Sequence, residues 1–228
     1  MNCVILQPSY IPWRGYFHQI QKADIFVFYD CVQYDHLGWR NRNQIKTPQG
    51  NQWLTIPVRT KGLLAKSTHI KDIPIICTMP WRRKHLATLK QNYGKAPHFK
   101  RYLPLLESFY ARRDALLADF TCDLTVALAR ELGISHTKFI RSSTLNLQGQ
   151  KTDRLLEALK QLGARHYISG PSARDYMEME KFAAAGITVE FMEYKYPEYP
   201  QLHGAFQPGV TILDLLFNTG PDAARFIW

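Results

Sequence analysis

Short apolar runs alternate with longer amphipathic stretches along nearly the whole chain. Cys3–Leu6 and Ile25–Tyr29 are apolar runs of strand length, and a helical pattern from about Arg14 to Lys22 lies between them. Gln52–Val58 (QWLTIPV) reads as another strand, with Thr68–Ile73 a candidate for a further one. The periodicity then turns helical over Trp81–Asn92 and Phe99–Tyr110, and Asp114 supplies an N-cap for a long helix ending near Gly133. Lys138–Arg141 is a short strand, and Thr152 opens a helix over Asp153–Leu162. His166–Ser169 is a strand, Ala173–Ala184 a helix and Ile187–Met192 a last strand. A Pro- and Tyr-rich tail, Tyr194–Gly209, precedes a closing helix at about Thr211–Asn218. Repeated strand–helix–strand units predict an α/β fold: a mostly parallel, Rossmann-like sheet flanked by helices. The helices at about 80–133 read as an inserted basic layer within one domain spanning 1–228, with no repeat or low-complexity tract.

Composition changes this picture little. Of 228 residues, 46% are hydrophobic and 21% charged, the balance of a globular protein with a sizeable core. No apolar run approaches the roughly 18 residues a membrane span needs, and a strand at the very start leaves no room for a secretory leader. The four cysteines, Cys3, Cys31, Cys77 and Cys122, lack metal-ligand spacing. If the first two strands are parallel, Cys3 begins one and Cys31 follows the end of the other, too far apart to bridge. Reduced thiols in a cytoplasmic protein are expected. Nothing in the sequence fixes an oligomeric state.

Charge adds more through its location than its size. The net charge is +10. Between Arg59 and Arg101 there are eleven Lys and Arg against one acid, Asp72, and the rest of the chain is balanced. Such a lobe suits a polyanionic partner: a nucleotide-activated or otherwise phosphate-bearing substrate, RNA or a membrane surface. It also suits a solvated lysine-rich face.

The candidate chemistry gathers where strands end, which is where open α/β sheets build their sites. The first strand runs into Gln7-Pro-Ser-Tyr10-Ile-Pro-Trp13-Arg14-Gly-Tyr16, a turn opening a helix. Free backbone N–H groups at such a helix start favour an anion, and Arg14 adds a cation where helix stability favours an acid. Pro8 and Pro12 shaping a tight turn, with Trp13 covering the core, would use the same residues. A second cluster holds Asp30, Gln33, Tyr34, Trp39, Asn41, Arg42 and Asn43. Trp39 can stack on a ring or sugar face, Arg42 can fork onto a phosphate or carboxylate, and the asparagines can bond hydroxyls or amides. Strand alternation would put Arg40 and Arg42 opposite the two asparagines, so a shared site requires a loop, which the polarity favours. A third cluster, Ser169-Gly170-Pro-Ser-Ala-Arg174-Asp-Tyr176, again offers a phosphate-friendly helix start or ordinary capping by Ser172. His85, in the basic Trp81-Arg-Arg-Lys-His85 start, is the best histidine for a general base. Tyr199, Gln201, Asp214 and Asn218 could close a site from the far edge or dock the terminus.

These segments resemble a known family. QPSYIPWRGYF, ADIFVFYDCVQY, GWRNRNQIK, QWLTIPV, LGARHYISGPSARDY, EYPQLHGAF and ILDLLFNTGP, in this order over nearly the whole chain, look like the WbqC-like family. Members occur in bacterial O-antigen and other surface-polysaccharide gene clusters, and transfer of glycine or another small acyl group to an amino sugar has been suggested for some. The resemblance therefore implies a transferase forming an amide on an amino sugar or similar amine. Its donor would be an activated amino acid, with aminoacyl-tRNA one candidate carrier. It brings no catalytic assignment and no resident cofactor. ATP or a nucleotide-linked substrate is the candidate ligand, His85 or Asp30 the candidate base, and Asn43 or backbone N–H groups the oxyanion donors. The alternatives are an ATP-dependent amide ligase and a non-catalytic binder of nucleotide sugars or RNA. The order of elements is also similar to nucleotidyltransferase-like α/β enzymes, including pantothenate synthetases. Those carry His-x-Gly-His where this chain has Trp13-Arg14-Gly15-Tyr16, so both phosphate-holding histidines are absent.

Overall fold

In the computed structural model, which describes residues 1–60 and 67–228, five strands form one parallel sheet. They are β1 (Asn2–Leu6), β2 (Ile25–Phe28), β5 (Lys138–Arg141), β6 (His166–Ser169) and β7 (Thr188–Phe191), in the spatial order β5-β2-β1-β6-β7. The register runs Cys3↔Ile25 to Leu6↔Phe28 on one side of β1 and Asn2↔His166 to Val4↔Ile168 on the other. From β1 the chain steps outward to β2 and then β5, returns to β6 on the opposite side of β1, and steps outward again to β7. The winding reverses between β1 and β6. In doubly wound sheets that reversal opens a crevice at the carboxyl ends of the two strands.

The central strands read as unbroken apolar runs because both of their faces are covered. Val4, Phe26, Phe28 and Ile168 face one way, into a core shared with Phe17 and Ile20 of α1 (Arg14–Lys22). The helical layer joins that core through α2 (Trp81–Tyr93), α3 (Phe99–Ala111) and α4 (Leu117–Glu131), as does α7 (Ile212–Thr219). Cys3, Ile5, Ile25, Val27 and Tyr167 face the other way. They pack on Leu155 and Leu159 of α5 (Lys151–Gln161) and on Phe182 of α6 (Met179–Ala184). The α/β class and the flanking helices thus follow the sequence pattern, and no described helix is long and apolar enough to cross a membrane.

Four local expectations need correction. The Trp39–Asn43 stretch is not a loop throughout: Arg42–Thr47 is β3, paired antiparallel with β4 (Gly50–Thr55) outside the main sheet. Tertiary burial overrides its polarity, for Asn41, Asn43 and Ile45 are buried while Arg42 and Gln44 are partly exposed. Thr68–Ile73 is no strand. It makes one isolated bridge, Gln33↔His69, with backbone hydrogen bonds to Asp30, Val32 and Tyr34 beside it, and Ile70–Asp72 is a 3-10 turn. Asp114 does not cap α4, because Leu116 bridges to Pro74 and keeps the chain extended until Leu117. The Ala173–Ala184 helix is two pieces, a 3-10 turn at Pro171–Asp175 and then α6. Glu178 N–H turns to Thr152 Oγ1 (3.4 Å) instead of continuing a helical ladder.

Candidate functional site

A cleft of about 1060 Å³ opens at the β1/β6 reversal. Its floor is the strand ends Ile5, Leu6, Gln7, Tyr167 and Ser169, and its walls come from the first turn, the 39–44 segment, the start of α5 and the Gly170–Tyr176 segment. Size and position both match a small-molecule site.

The first turn is built by unusual backbone. Ile11 is buried with φ +37, a region disfavoured for β-branched residues. Asn43 holds it there, its Nδ2 donating to the carbonyls of Tyr10 (3.0 Å) and Ile11 (2.8 Å). The Trp13 ring then folds back over Gly15, where any Cβ would lie 2.3 Å from a ring carbon. Glycine is required at that position for the ring to rest edge-on against Tyr194, 4.9 Å between centroids. One turn into α1, Tyr16 donates its hydroxyl hydrogen to Gln7 O (3.1 Å), and Gln19 Nε2 donates to Tyr194 Oη (2.7 Å). Turn, helix and tail are thus fixed as one wall.

Aromatic groups dominate that lining: Trp13, Tyr16, Tyr29, Trp39, Tyr167, Tyr176 and Tyr194. Burial pushes the Tyr29 and Tyr194 hydroxyls up to about 12, so both are neutral donors at physiological pH. The charged lining residues are two cations, Arg40 and Lys151, and no described Asp, Glu, His or Cys lines the cleft. Among the described residues no group of three or more His, Cys, Asp and Glu is placed to hold a metal. An anionic ligand carrying flat rings or sugar faces suits such a surface.

Residues 7–226 match the model of the WbqC-like protein family, nearly the whole chain. The chain belongs to the WbqC-like family. The WbqC-like chain is also 41% identical over 225 residues to the uncharacterized protein Rv1507c of Mycobacterium tuberculosis, covering 98% of this chain and 96% of that one. No solved structure matches it.

Eight of the residues singled out in the sequence line the cleft of this WbqC-like chain: Gln7, Trp13, Tyr16, Trp39, Asn43, Ser169, Gly170 and Tyr176. Both candidate bases lie outside its lining. Asp30 is fully buried, accepting from Arg141 Nε (2.6 Å), Ser142 Oγ (3.0 Å), Ser143 N (2.9 Å) and Ser143 Oγ (2.9 Å). Its oxygens tie the end of β2 to the end of β5. His85 is 6% exposed among Trp81, Tyr10 and Tyr110, with Nδ1 2.8 Å from Tyr10 Oη, and burial lowers its pKa to about 4. It is a neutral core histidine. Asn43 touches the cleft, but both hydrogens of its amide serve the first turn, so the oxyanion role has no donor left there.

The remaining candidates are placed as framework. Tyr10 is buried beside Tyr110, and Asn41 Nδ2 donates to Ile56 O (2.8 Å). Arg14 points away from the cleft toward the tail, donating to Pro197 O (2.7 Å) and Phe226 O (3.1 Å) beside the Tyr196 ring. Gln201 and Asn218 both donate to Asp214, which Tyr93 and Tyr199 also bond. Tyr34 is buried with its N–H on Thr68 O, and Gln33 is exposed at the bridge to His69. Arg42 lies over the Trp53 ring and Arg174 over Phe191. The basic helix start is outside the lining too, with Arg82 donating to Asp114 O (3.2 Å), while Lys61 and Lys66 fall outside the described residues.

Sequence reasoning missed Ser9, Gln19, Tyr29, Arg40, Lys151 and Tyr194 as lining residues. Two left a usable signal. Tyr29 follows the last residue of a strand, and Gln19 sits three residues after Tyr16 on one face of a helix. Tyr194 and Lys151 left none, since only folding brings them to β1.

Proposed function

We propose that this protein is a transferase that forms an amide on an amino sugar or similar amine, held in the β1/β6 cleft through a phosphate-bearing, nucleotide-linked part. One observation carries this reading: a cleft at the reversal of winding that combines seven aromatic rings with two cations and no acid among its described lining. In the reaction the substrate amine attacks the carbonyl of an activated aminoacyl or small acyl donor. The C–N bond forms, the bond to the carrier breaks, and the amine proton passes to the leaving group or to solvent. Among the described lining no cysteine, histidine or carboxylate offers a covalent route or a base, so the cleft acts by positioning and by hydrogen-bond donors such as the Ser9 hydroxyl.

The test is mass spectrometry of nucleotide-linked amino sugars incubated with the protein and either glycyl-tRNA or glycine plus ATP. A product heavier by one glycyl group is expected. Pyrophosphate or ADP released in step with product assigns the reaction to an ATP-dependent amide ligase instead. The missing base favours a second reading, a non-catalytic binder of nucleotide sugars. Saturable binding of the sugar with no product from any donor sinks the transferase and leaves the binder.

A further inference from the structure

Arg40 stands apart from every other arginine of the first two clusters. Arg14 is folded into the tail and Arg42 lies on Trp53, both outside the cleft lining. Arg40 lines the cleft, and its side chain is 13% exposed. It makes one hydrogen bond, from a terminal nitrogen to Pro8 O (3.0 Å), which fixes it to the loop leaving β1. Its Nε is shut off from solvent with no hydrogen-bond partner among the described residues, and only a long ion pair to Asp35 Oδ2 at 3.4 Å, a carboxylate 47% exposed, compensates it. A guanidinium carries five donors. Among the described residues this one makes a single hydrogen bond and a single long ion pair, in a place where the cation has lost much of its hydration. Burial correspondingly lowers its pKa, the response of a cation that lacks full compensation. Lys151, at the start of α5, supplies the cleft's second positive charge.

We infer that Arg40 is the anchor for a diphosphate group, so that the cleft selects nucleoside-diphosphate-linked ligands over neutral sugars. The fork geometry of a guanidinium matches two phosphate oxygens at once, and an anion there would restore the partners the cation lacks. With the diphosphate on Arg40, at the mouth of β1, the flanking Trp39 ring is adjacent in sequence and takes the ligand's base or sugar face. This rests on the cleft being the substrate site but not on the reaction carried out there.

The test is calorimetric titration with inorganic pyrophosphate, UDP, ADP and uridine. The wild type is expected to bind pyrophosphate and both nucleotides, and uridine much more weakly. Arg40→Gln should lower diphosphate affinity roughly 10–100-fold with uridine unchanged. Arg40→Lys keeps the charge but loses the fork and should lose about fivefold; it serves as the readout should the glutamine variant not fold. Arg83→Gln, an exposed cation of the basic lobe, should change affinity less than about twofold. A folded Arg40→Lys or Arg40→Gln protein binding UDP like wild type overturns the inference. So does an equal loss in Arg83→Gln, which would mean diffuse attraction. Uridine binding as tightly as UDP with no pyrophosphate binding overturns the anchor and the phosphate-held pose, while the acyl-transfer step is judged separately by the mass-spectrometric assay. Diphosphate binding through Arg40 with no acyl transfer in that assay keeps the anchor and overturns the transferase.

Discussion

Two polar clusters sit one strand apart at the same edge of the sheet, and they differ in kind. Beyond β2, Asp30 is completely buried, and its two carboxylate oxygens accept four hydrogen bonds from Arg141, Ser142 and Ser143. Beside the β1/β6 cavity of about 1060 Å³, Arg40 makes, among the described residues, a single hydrogen bond and a long ion pair with the half-exposed Asp35. The first arrangement is saturated and leaves no lone pair for a substrate. The second has capacity left over and space in front of it. Polarity at a strand end therefore does not by itself separate framework from a candidate site; hydrogen-bonding capacity facing a cavity does. The His85–Tyr10–Tyr110 chain and the Asp214 hub fall on the saturated side of this divide.

The comparison breaks most sharply at Asp30. Asp30→Ala removes the acceptor for three residues and the buried half of an ion pair whose arginine is partly exposed and keeps Asp119, and should cost about 2–3 kcal/mol of stability. Chemical denaturation measures this. A loss below about 1 kcal/mol together with abolished ligand binding would move Asp30 from framework to site.

His85 tests the same divide through pH. Its folded pKa of about 4 lies below the ordinary 6.5, so protons favour the unfolded chain. Its contribution is complete above about pH 6.5 and fades as the pH falls toward 4, by about 3 kcal/mol in all. Thermal midpoints between pH 7 and 4.5 should fall less steeply in His85→Gln than in wild type. Parallel slopes would show that His85 is not buried and neutral.

The smallest effect belongs to the cleft rim. Trp39 is 44% exposed and packs on Trp53 at 5.2 Å between centroids. Trp39→Ala should leave stability within about 0.5 kcal/mol yet weaken UDP binding about threefold to tenfold. Unchanged UDP affinity would remove the ring from the ligand's path.

The sequence alone determined the parallel sheet and its helices. Apolar runs of strand length at Cys3–Leu6 and Ile25–Tyr29 are what doubly covered strands require, and periodicity is local. It also pointed to strand ends and to residues such as Gln7, Trp13, Tyr16 and Ser169, which line the cleft. Residue type could not tell Arg40 from Arg14 or Arg42, nor a cleft-facing carboxylate from Asp30. That distinction depends on which partners the fold delivers: Ser142 to Asp30, Tyr10 to His85 and Pro197 to Arg14, each separated in the chain by 75 residues or more. Such long-range pairing leaves no local pattern. Tertiary structure therefore decided which polar groups are satisfied and which face the cleft.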